Sequence, residues 1–137
     1  MTLIEMLARN LTLFPEKTAL IYQDTRITYK TLYENALTLA NFLIRRGLKK
    51  GDRVGLLVHK TPEAIIAFLG VTTAGGIVFP IDNNQTLSHL QELLDTTDPK
   101  VLIVAESFQP LLLQLHGPCP DVKIIVIGEK VSTPHFS

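Results

Sequence analysis

Four short, continuously apolar runs alternate with segments of helical spacing, and this alternation constrains the fold more than any other feature. The runs are RVGLLV, IVFPI, KVLIVA and VKIIVIG. Each has the length of a single strand, and strands that are apolar throughout are typical of a parallel sheet covered on both faces. Strands that alternate with helices predict βαβ units. We therefore expect an α/β fold, a mostly parallel sheet with helices on both faces.

The segment before the first of these runs predicts a helix and a β-hairpin. Thr2 and Glu5 have the spacing of a capping box, which indicates a short helix over residues 3–9. The stretch TALIYQDTRITY contains two extended runs on either side of Asp24 and Thr25. We expect an N-terminal β-hairpin whose turn includes these two residues.

Helix boundaries between the strands follow from capping residues and proline. Thr28 is expected to cap a helix that ends at Gly47, because glycine enters the left-handed conformation of a helix end without steric cost. This helix carries its apolar stripe at Leu32, Ala36, Leu39, Ala40 and Leu43.

Three further helices are predicted. Thr61 and Pro62 open a helix over 63–75 that is apolar nearly all round, so we expect it to be buried on more than one side and to need a further partner surface. Ser88 and Gln91 form a capping-box pair that opens a helix through Leu94, and FQPLLLQL is helical.

A chain of 137 residues is expected to form one domain. The last residues, GEKVSTPHFS, are polar and lack periodicity. We assign residues 1–127 to one α/β subdomain and 128–137 to a polar linker or tail.

Charge and cysteine content narrow the cellular context. Thirteen basic residues balance thirteen acidic ones, which gives no indication of a nucleic-acid or membrane-surface partner. No apolar run reaches the roughly 18 residues of a membrane span. Cys119 is the only cysteine, and the N-terminus lacks the pattern of a signal peptide. We expect a soluble, cytoplasmic protein without an internal disulfide.

The stretch GVTTAGGIVFP has the glycines of a phosphate-binding loop but the opposite order of elements. In such a loop a strand comes first, and the N-terminus of the following helix faces the anion. Here the helix precedes Gly75 and Gly76 and a strand follows them. We interpret the two glycines as a helix end and a tight turn.

A basic stretch and the histidines are the remaining polar candidates. RRGLKKGDR brings Arg45, Arg46, Lys49, Lys50 and Arg53 together, and we favour a helix end with a solvated turn over a contact to ligand phosphates. The histidines are His59, His89, His116 and His135. No two have metal-ligand spacing, and His59 is notable only because it follows a strand, where ligands bind in open α/β sheets.

Cys119 and the aspartates receive structural interpretations. Cys119 lies between two prolines, and no base partner is identifiable for a nucleophilic role. Asp24, Asp52, Asp82, Asp95, Asp98 and Asp121 lie at turns or element ends, where aspartate accepts hydrogen bonds from local backbone N–H groups. We assign no catalytic, cofactor-binding or metal-binding residue within the chain.

Four motifs in order resemble the start of the adenylate-forming enzymes, the superfamily of acyl-CoA synthetases, peptide-synthetase adenylation domains and luciferases. They are Thr28-Tyr29 with Leu32, the stretch GLKKGDRVGLLV, the stretch TTAGGIVFPID, and LQELLDTTDPKVLIVAE. The resemblance covers about residues 1–127. It departs from the family after the third motif, where Asn83 to Thr86 replace a proline and small polar residues.

The resemblance implies the N-terminal portion of an AMP-forming acyl-CoA synthetase, with ATP, Mg²⁺ and coenzyme A as ligands of the whole enzyme and a carboxylic acid as substrate. Its phosphate loop, adenine and ribose motifs and catalytic lysine have no counterpart in these 137 residues. We therefore expect no activity of the chain alone, the remainder of the enzyme as its partner, and self-association through exposed apolar surface. Two alternatives are a peptide-synthetase adenylation domain and a naturally truncated, non-catalytic binding module.

Overall fold

The computed structural model describes residues 2–115 and 122–128. Four strands form a parallel sheet in the order β4-β3-β5-β6, after an antiparallel hairpin of β1 and β2. The strands are β1 (Thr18–Tyr22), β2 (Thr25–Thr28), β3 (Arg53–Leu57), β4 (Ile77–Pro80), β5 (Val101–Ala105) and β6 (Lys123–Ile127). The helices are α1 (Leu3–Leu13), α2 (Tyr29–Arg45), α3 (Pro62–Thr73), α4 (Leu87–Thr97) and α5 (Gln109–Leu112), with a 3-10 turn at Glu106–Phe108. The predicted α/β class is confirmed.

Helices cover both faces of the sheet, as the unbroken apolar strands predict. Val54 of β3 and Ile103 of β5 point to one face, where they pack with Leu43 of α2 and Val71 of α3. Alternate residues of the same strands point to the other face, where they pack with Leu90 and Leu94 of α4. The two faces explain why β5 is buried at all of its positions.

A third apolar cluster joins the N-terminal segment to the rest of the fold. Leu7 of α1, Leu32 of α2 and Ile66 of α3 are buried together, and Leu20 and Ile27 of the hairpin pack against them. Helix α3 therefore contributes to two clusters, as expected for a helix that is apolar nearly all round. Most of its apolar surface is covered within the chain, whereas Ile65 stays 43% exposed.

The predicted stripe of α2 is buried at all five positions, and Gly47 has a φ of 95° after the helix end. The capping box of Thr2 and Glu5 is present, but α1 continues to Leu13.

Two local predictions, for the hairpin loop and for the start of α4, are wrong. Tyr22 pairs with Thr25, so the hairpin loop is Gln23-Asp24 rather than Asp24-Thr25, and Gln23 has a φ of 53°. Helix α4 is capped by Thr86, whose Oγ1 accepts a hydrogen bond from the His89 N–H (3.2 Å), and not by Ser88.

The other boundary errors are at helix ends. Helix α4 ends at Thr97 with Asp98 in the left-handed conformation, beyond the predicted Leu94. The segment predicted as one helix from FQPLLLQL divides into the 3-10 turn and the single turn α5. The tail beyond residue 128 lies outside the described residues.

Candidate functional site

An open cleft of about 660 Å³ lies at the carboxyl ends of β3 and β4. Its walls are strand β1 of the hairpin, the N-terminal turn of α3 and the loop after β4. The lining residues are Leu20, Ile21, Tyr22, Leu56, Val58, His59, Lys60, Thr61, Pro62, Ala64, Ile65, Phe68, Pro80, Ile81, Asp82, Asn83 and Asn84. Ligands of open α/β sheets bind at this edge.

The cleft is mainly apolar, and its rim is exposed. Ile21 is 64% exposed, Ile65 is 43% exposed and Tyr22 is 38% exposed, whereas Ile81 at the base is buried. Ile21 and Tyr22 belong to the hairpin, and Ile65 belongs to α3. The hairpin and α3 pack against each other in the third apolar cluster, and both expose apolar side chains at the cleft. Exposed apolar side chains grouped around a cleft are typical of a binding surface.

His59 contributes a polar contact at one end of the cleft. Its Nε2 lies 2.8 Å from the Ser107 hydroxyl, and its ring lies 4.6 Å from the Phe108 ring at an interplanar angle of 31°. His59 follows β3 and Ser107 follows β5, and these strands are neighbours in the sheet. The sequence pattern pointed to His59 but not to Ser107, although a serine two residues after a parallel strand is expected near the same edge.

The loop after β4 is attached to the end of β3 through side-chain hydrogen bonds. The Asn83 side-chain amide donates to the Val58 carbonyl (3.1 Å), and Asp82 Oδ1 accepts from the Asn84 N–H (2.9 Å). Asp52 acts in the same way in its own turn, where its Oδ2 accepts from the Lys49 N–H (2.8 Å). The prediction that Asp52 and Asp82 accept hydrogen bonds from local backbone N–H groups is therefore confirmed.

The other predicted polar candidates do not join the cleft. His89 lies in the first turn of α4, and Asp95 accepts a hydrogen bond from Gln91 on the same helix (3.1 Å). Within residues 2–115 and 122–128, no group of three or more histidine, cysteine, aspartate or glutamate side chains could hold a metal ion. His116, Cys119, Asp121 and His135 lie outside the described residues.

Gly75 and Gly76 form the end of α3 and the turn into β4, as predicted. Gly75 has a φ of 89°, its N–H donates to the Thr72 carbonyl (3.1 Å), and the Gly76 N–H donates to the Val71 carbonyl (3.0 Å). Both N–H groups are thus used within the chain and do not face outward to an anion. The turn lies at the amino edge of the sheet, opposite the cleft.

The cleft can therefore hold or cover an apolar group. Lys60 is the only cation among the cleft-lining residues, and Asp82 is their only carboxylate. Such a lining suits an apolar or amphipathic group.

Comparison with known proteins relates this geometry to a family. A family model described as AMP-binding enzyme matches residues 7–135. The 4-hydroxybutyrate–CoA ligase 2 of Metallosphaera sedula is 33% identical over 74% of this chain and 19% of its own length. Bacitracin synthase 3 of Bacillus licheniformis is 32% identical over 77% of this chain and 2% of its own length.

A solved structure shows the same architecture. The anthranilate CoA ligase AuaEII in complex with anthranoyl-AMP superposes with a TM-score of 0.85 and 30% sequence identity, over 90% of this chain and 24% of that one. The chain thus spans about a fifth of the ligases that it matches. None of the helices in residues 2–115 and 122–128 has the length and apolarity needed to cross a bilayer.

Proposed function

This chain belongs to the family of AMP-binding enzymes, and from that premise we propose that it forms the N-terminal part of an AMP-forming acyl-CoA synthetase. Residues 1–127 are the N-terminal subdomain in this proposal, and 128–137 connect it to the catalytic core. The observation that carries the proposal is the family match over residues 7–135, on a structure that superposes on a CoA ligase.

The proposed reaction of the whole enzyme has two steps. A carboxylate oxygen attacks the α-phosphorus of ATP, and pyrophosphate leaves, which gives an acyl-adenylate. The sulfur of coenzyme A then attacks the acyl carbon, and AMP leaves with the bonding electron pair. Mg²⁺ would neutralise the phosphate oxygens of ATP in the whole enzyme.

We assign none of these steps to residues of this chain. The cleft holds a single lysine and no metal-ligand set, so the groups that contact ATP are proposed to lie elsewhere in the enzyme. In this proposal the chain is a structural, non-catalytic part of the enzyme. The apolar rim of the cleft, with Ile21, Tyr22 and Ile65 exposed, is the surface on which the remainder of the enzyme is proposed to pack.

One observation favours a second candidate function. The similarity to bacitracin synthase 3 is as strong as that to the ligases, so the thiol acceptor could equally belong to a carrier protein, as in a peptide-synthetase adenylation domain. A naturally truncated binding module is the remaining alternative. Both the acyl-CoA synthetase and the peptide-synthetase adenylation domain are proposed to act in the cytoplasm.

The first experiment is to read the coding sequence past the codon for Ser137. A frame that continues into a loop rich in serine, threonine and glycine and ending in Pro-Lys supports the proposal. A stop codon at that point contradicts it and leaves the binding module.

The second experiment assays the full-length polypeptide for exchange of labelled pyrophosphate into ATP with a panel of carboxylic acids and amino acids. We expect acid-dependent exchange with the full-length protein and none with residues 1–137. Thioester formation on coenzyme A rather than on a carrier protein separates the two enzyme candidates. Exchange by residues 1–137 alone would overturn the assignment of the chain as a structural part.

A further inference from the structure

The balanced composition conceals an asymmetric charge distribution in the folded chain. Seven exposed basic residues lie at the amino edge of the parallel sheet, opposite the cleft, and we call them the basic edge. They are Arg45, Arg46, Lys49, Lys50, Arg53, Lys100 and Lys123. Sequence analysis found five of them as one stretch, and the fold adds Lys100 and Lys123.

Backbone contacts gather these positions. Arg53 begins β3, Lys100 directly precedes β5, and Lys123 begins β6. The Lys100 N–H donates to the Arg53 carbonyl (2.9 Å), and the Lys123 N–H donates to the Lys100 carbonyl (3.0 Å). The Lys123 Nζ donates to the Arg46 carbonyl, which brings the end of α2 to the same edge.

Few carboxylates accompany the basic edge. The nearest described acidic residues in the sequence are Asp52, Asp95 and Asp98, and the Asp52 carboxylate accepts a backbone N–H while that of Asp95 accepts from Gln91. Within residues 2–115 and 122–128, no lysine or arginine of the basic edge forms a salt bridge. Among the described residues, these cations therefore present a positive field toward solvent that no ion pair neutralises.

Helix electrostatics explain only part of this arrangement. Arg45 lies in the last turn of α2, where a cation is favourable, but α3 and α4 have no basic residue in their last turns. Arg53 Nη1 donates to the Thr97 carbonyl at the end of α4 (3.0 Å), and Lys123 Nζ donates to the Arg46 carbonyl at the end of α2, so these two cations also serve helix ends. The side chains of Lys49, Lys50 and Lys100 make no such contact among the described residues, so helix ends do not account for these three lysines.

Exposed aliphatic side chains accompany the cations. Ile44 is 51% exposed and directly precedes Arg45, and Ile124 is 47% exposed and directly follows Lys123. Ile77 is 53% exposed and is in register with Arg53 on the neighbouring strand. Basic residues with exposed aliphatic neighbours are typical of proteins that bind the interface of an anionic bilayer.

We infer that the basic edge is a peripheral binding surface for an anionic lipid bilayer. This inference is independent of the proposed function. Charge complementarity selects an anionic partner, and the exposed isoleucines favour a bilayer over a nucleic acid, since aliphatic side chains do not form the stacking platforms that bind bases. The Phe42 ring, which could stack, is covered by the Arg46 guanidinium at 4.9 Å. Binding at this edge leaves the cleft facing away from the membrane.

The experiment is co-sedimentation of the full-length polypeptide with vesicles of phosphatidylcholine containing about one-third phosphatidylserine. We expect binding to these vesicles at 0.1 M salt, loss of binding at 0.5 M salt because of screening, and no binding to pure phosphatidylcholine. Each lysine or arginine near an anionic surface changes partitioning about fivefold. The triple variant K49Q/K50Q/K100Q is therefore expected to bind about a hundredfold more weakly.

This variant preserves the fold because the three lysine side chains make no hydrogen bond or ion pair within residues 2–115 and 122–128. The matched control is K17Q/R26Q/K30Q, which removes the same charge from exposed residues around the hairpin. We expect the control to retain most of the binding. Circular dichroism verifies that both variants are folded.

Three results would overturn the inference. The first is no binding to the phosphatidylserine vesicles, and the second is an equal loss of binding in the two triple variants. The third is displacement from the vesicles by duplex DNA or an acidic peptide at equal charge concentration, which would identify a different class of partner.

Discussion

Gly70 of α3 lies directly against Leu39 of α2. A Cβ atom built on Gly70 would lie 2.7 Å from Leu39 Cδ2 and 3.0 Å from Leu39 Cβ. Leu39 is 1% exposed and cannot move outward. The close approach of the two helices that cover one face of the sheet thus depends on the absence of a side chain at residue 70.

Gly70→Ala is expected to destabilise the protein. Alanine improves helix propensity by about 1 kcal/mol, but overpacking against a fixed Leu39 costs about 1–3 kcal/mol. The expected net loss is about 1 kcal/mol. Urea unfolding measures the difference. An unchanged or raised free energy of unfolding would contradict the packing argument.

A double-mutant cycle isolates the contact between the two helices. Leu39→Ala alone is expected to cost about 2–5 kcal/mol. In the Gly70→Ala background it is expected to cost clearly less, because the added methyl group occupies part of the cavity. Strict additivity of the two changes would show that the two side chains do not compete for the same space.

Thr86 and Thr61 allow a matched test of helix capping. Both residues are N-caps, but only Thr86 uses its hydroxyl to accept a helix N–H. Thr86→Ala is expected to cost about 1 kcal/mol. Thr61→Ala and Ser88→Ala are expected to change the free energy of unfolding by less than about 0.5 kcal/mol. An equal loss at both threonines would refute the hydrogen-bond assignment.

Gly51 tests backbone strain without a steric contribution. Its φ is 86°, and a Cβ atom would meet nothing within 4 Å. Gly51→Ala is expected to cost about 1–2 kcal/mol from the left-handed backbone alone. Gly51→Asn is expected to cost less, because asparagine tolerates this region better. If thermal unfolding shows asparagine to be no better than alanine, the cause is not the backbone angle.

The apolar rim of the cleft is expected to cause self-association of the 137-residue chain. The variant I21S/I65S removes the two most exposed isoleucines of the rim, and sedimentation velocity over a concentration series is the measurement. We expect the fraction of oligomer to rise with concentration in the unmodified chain and to fall in the variant.

The control for this prediction is I44S/I77S, which removes isoleucines of similar exposure from the amino edge. It is expected to self-associate like the unmodified chain. A monomeric unmodified chain at every concentration, or an equal decrease in both variants, would argue against the rim as the contact surface.

Local pattern was sufficient to predict most elements, because short-range interactions decide them. Spacing identified the stripe of α2, and the proline after Thr61 identified the start of α3. Local pattern failed at the start of α4, where Thr86 and Ser88 can both act as caps and the structure uses Thr86.

The candidate site was less predictable. The sequence placed His59 at a strand end, but its partner Ser107 lies 48 residues away. Which strand ends meet depends on the order β4-β3-β5-β6, which local periodicity does not encode. The same holds for the basic edge, where Lys100 and Lys123 join residues that are distant in the chain.

The sequence by itself determined the α/β class, the positions of strands and helices, and the resemblance to adenylate-forming enzymes, because apolar periodicity and motif order are local properties. The tertiary structure decided that the cations gather at one edge of the sheet and the apolar cleft at the other. The physical reason is that parallel strands align all their amino ends on one side, so residues that precede different strands become neighbours only once the sheet has formed.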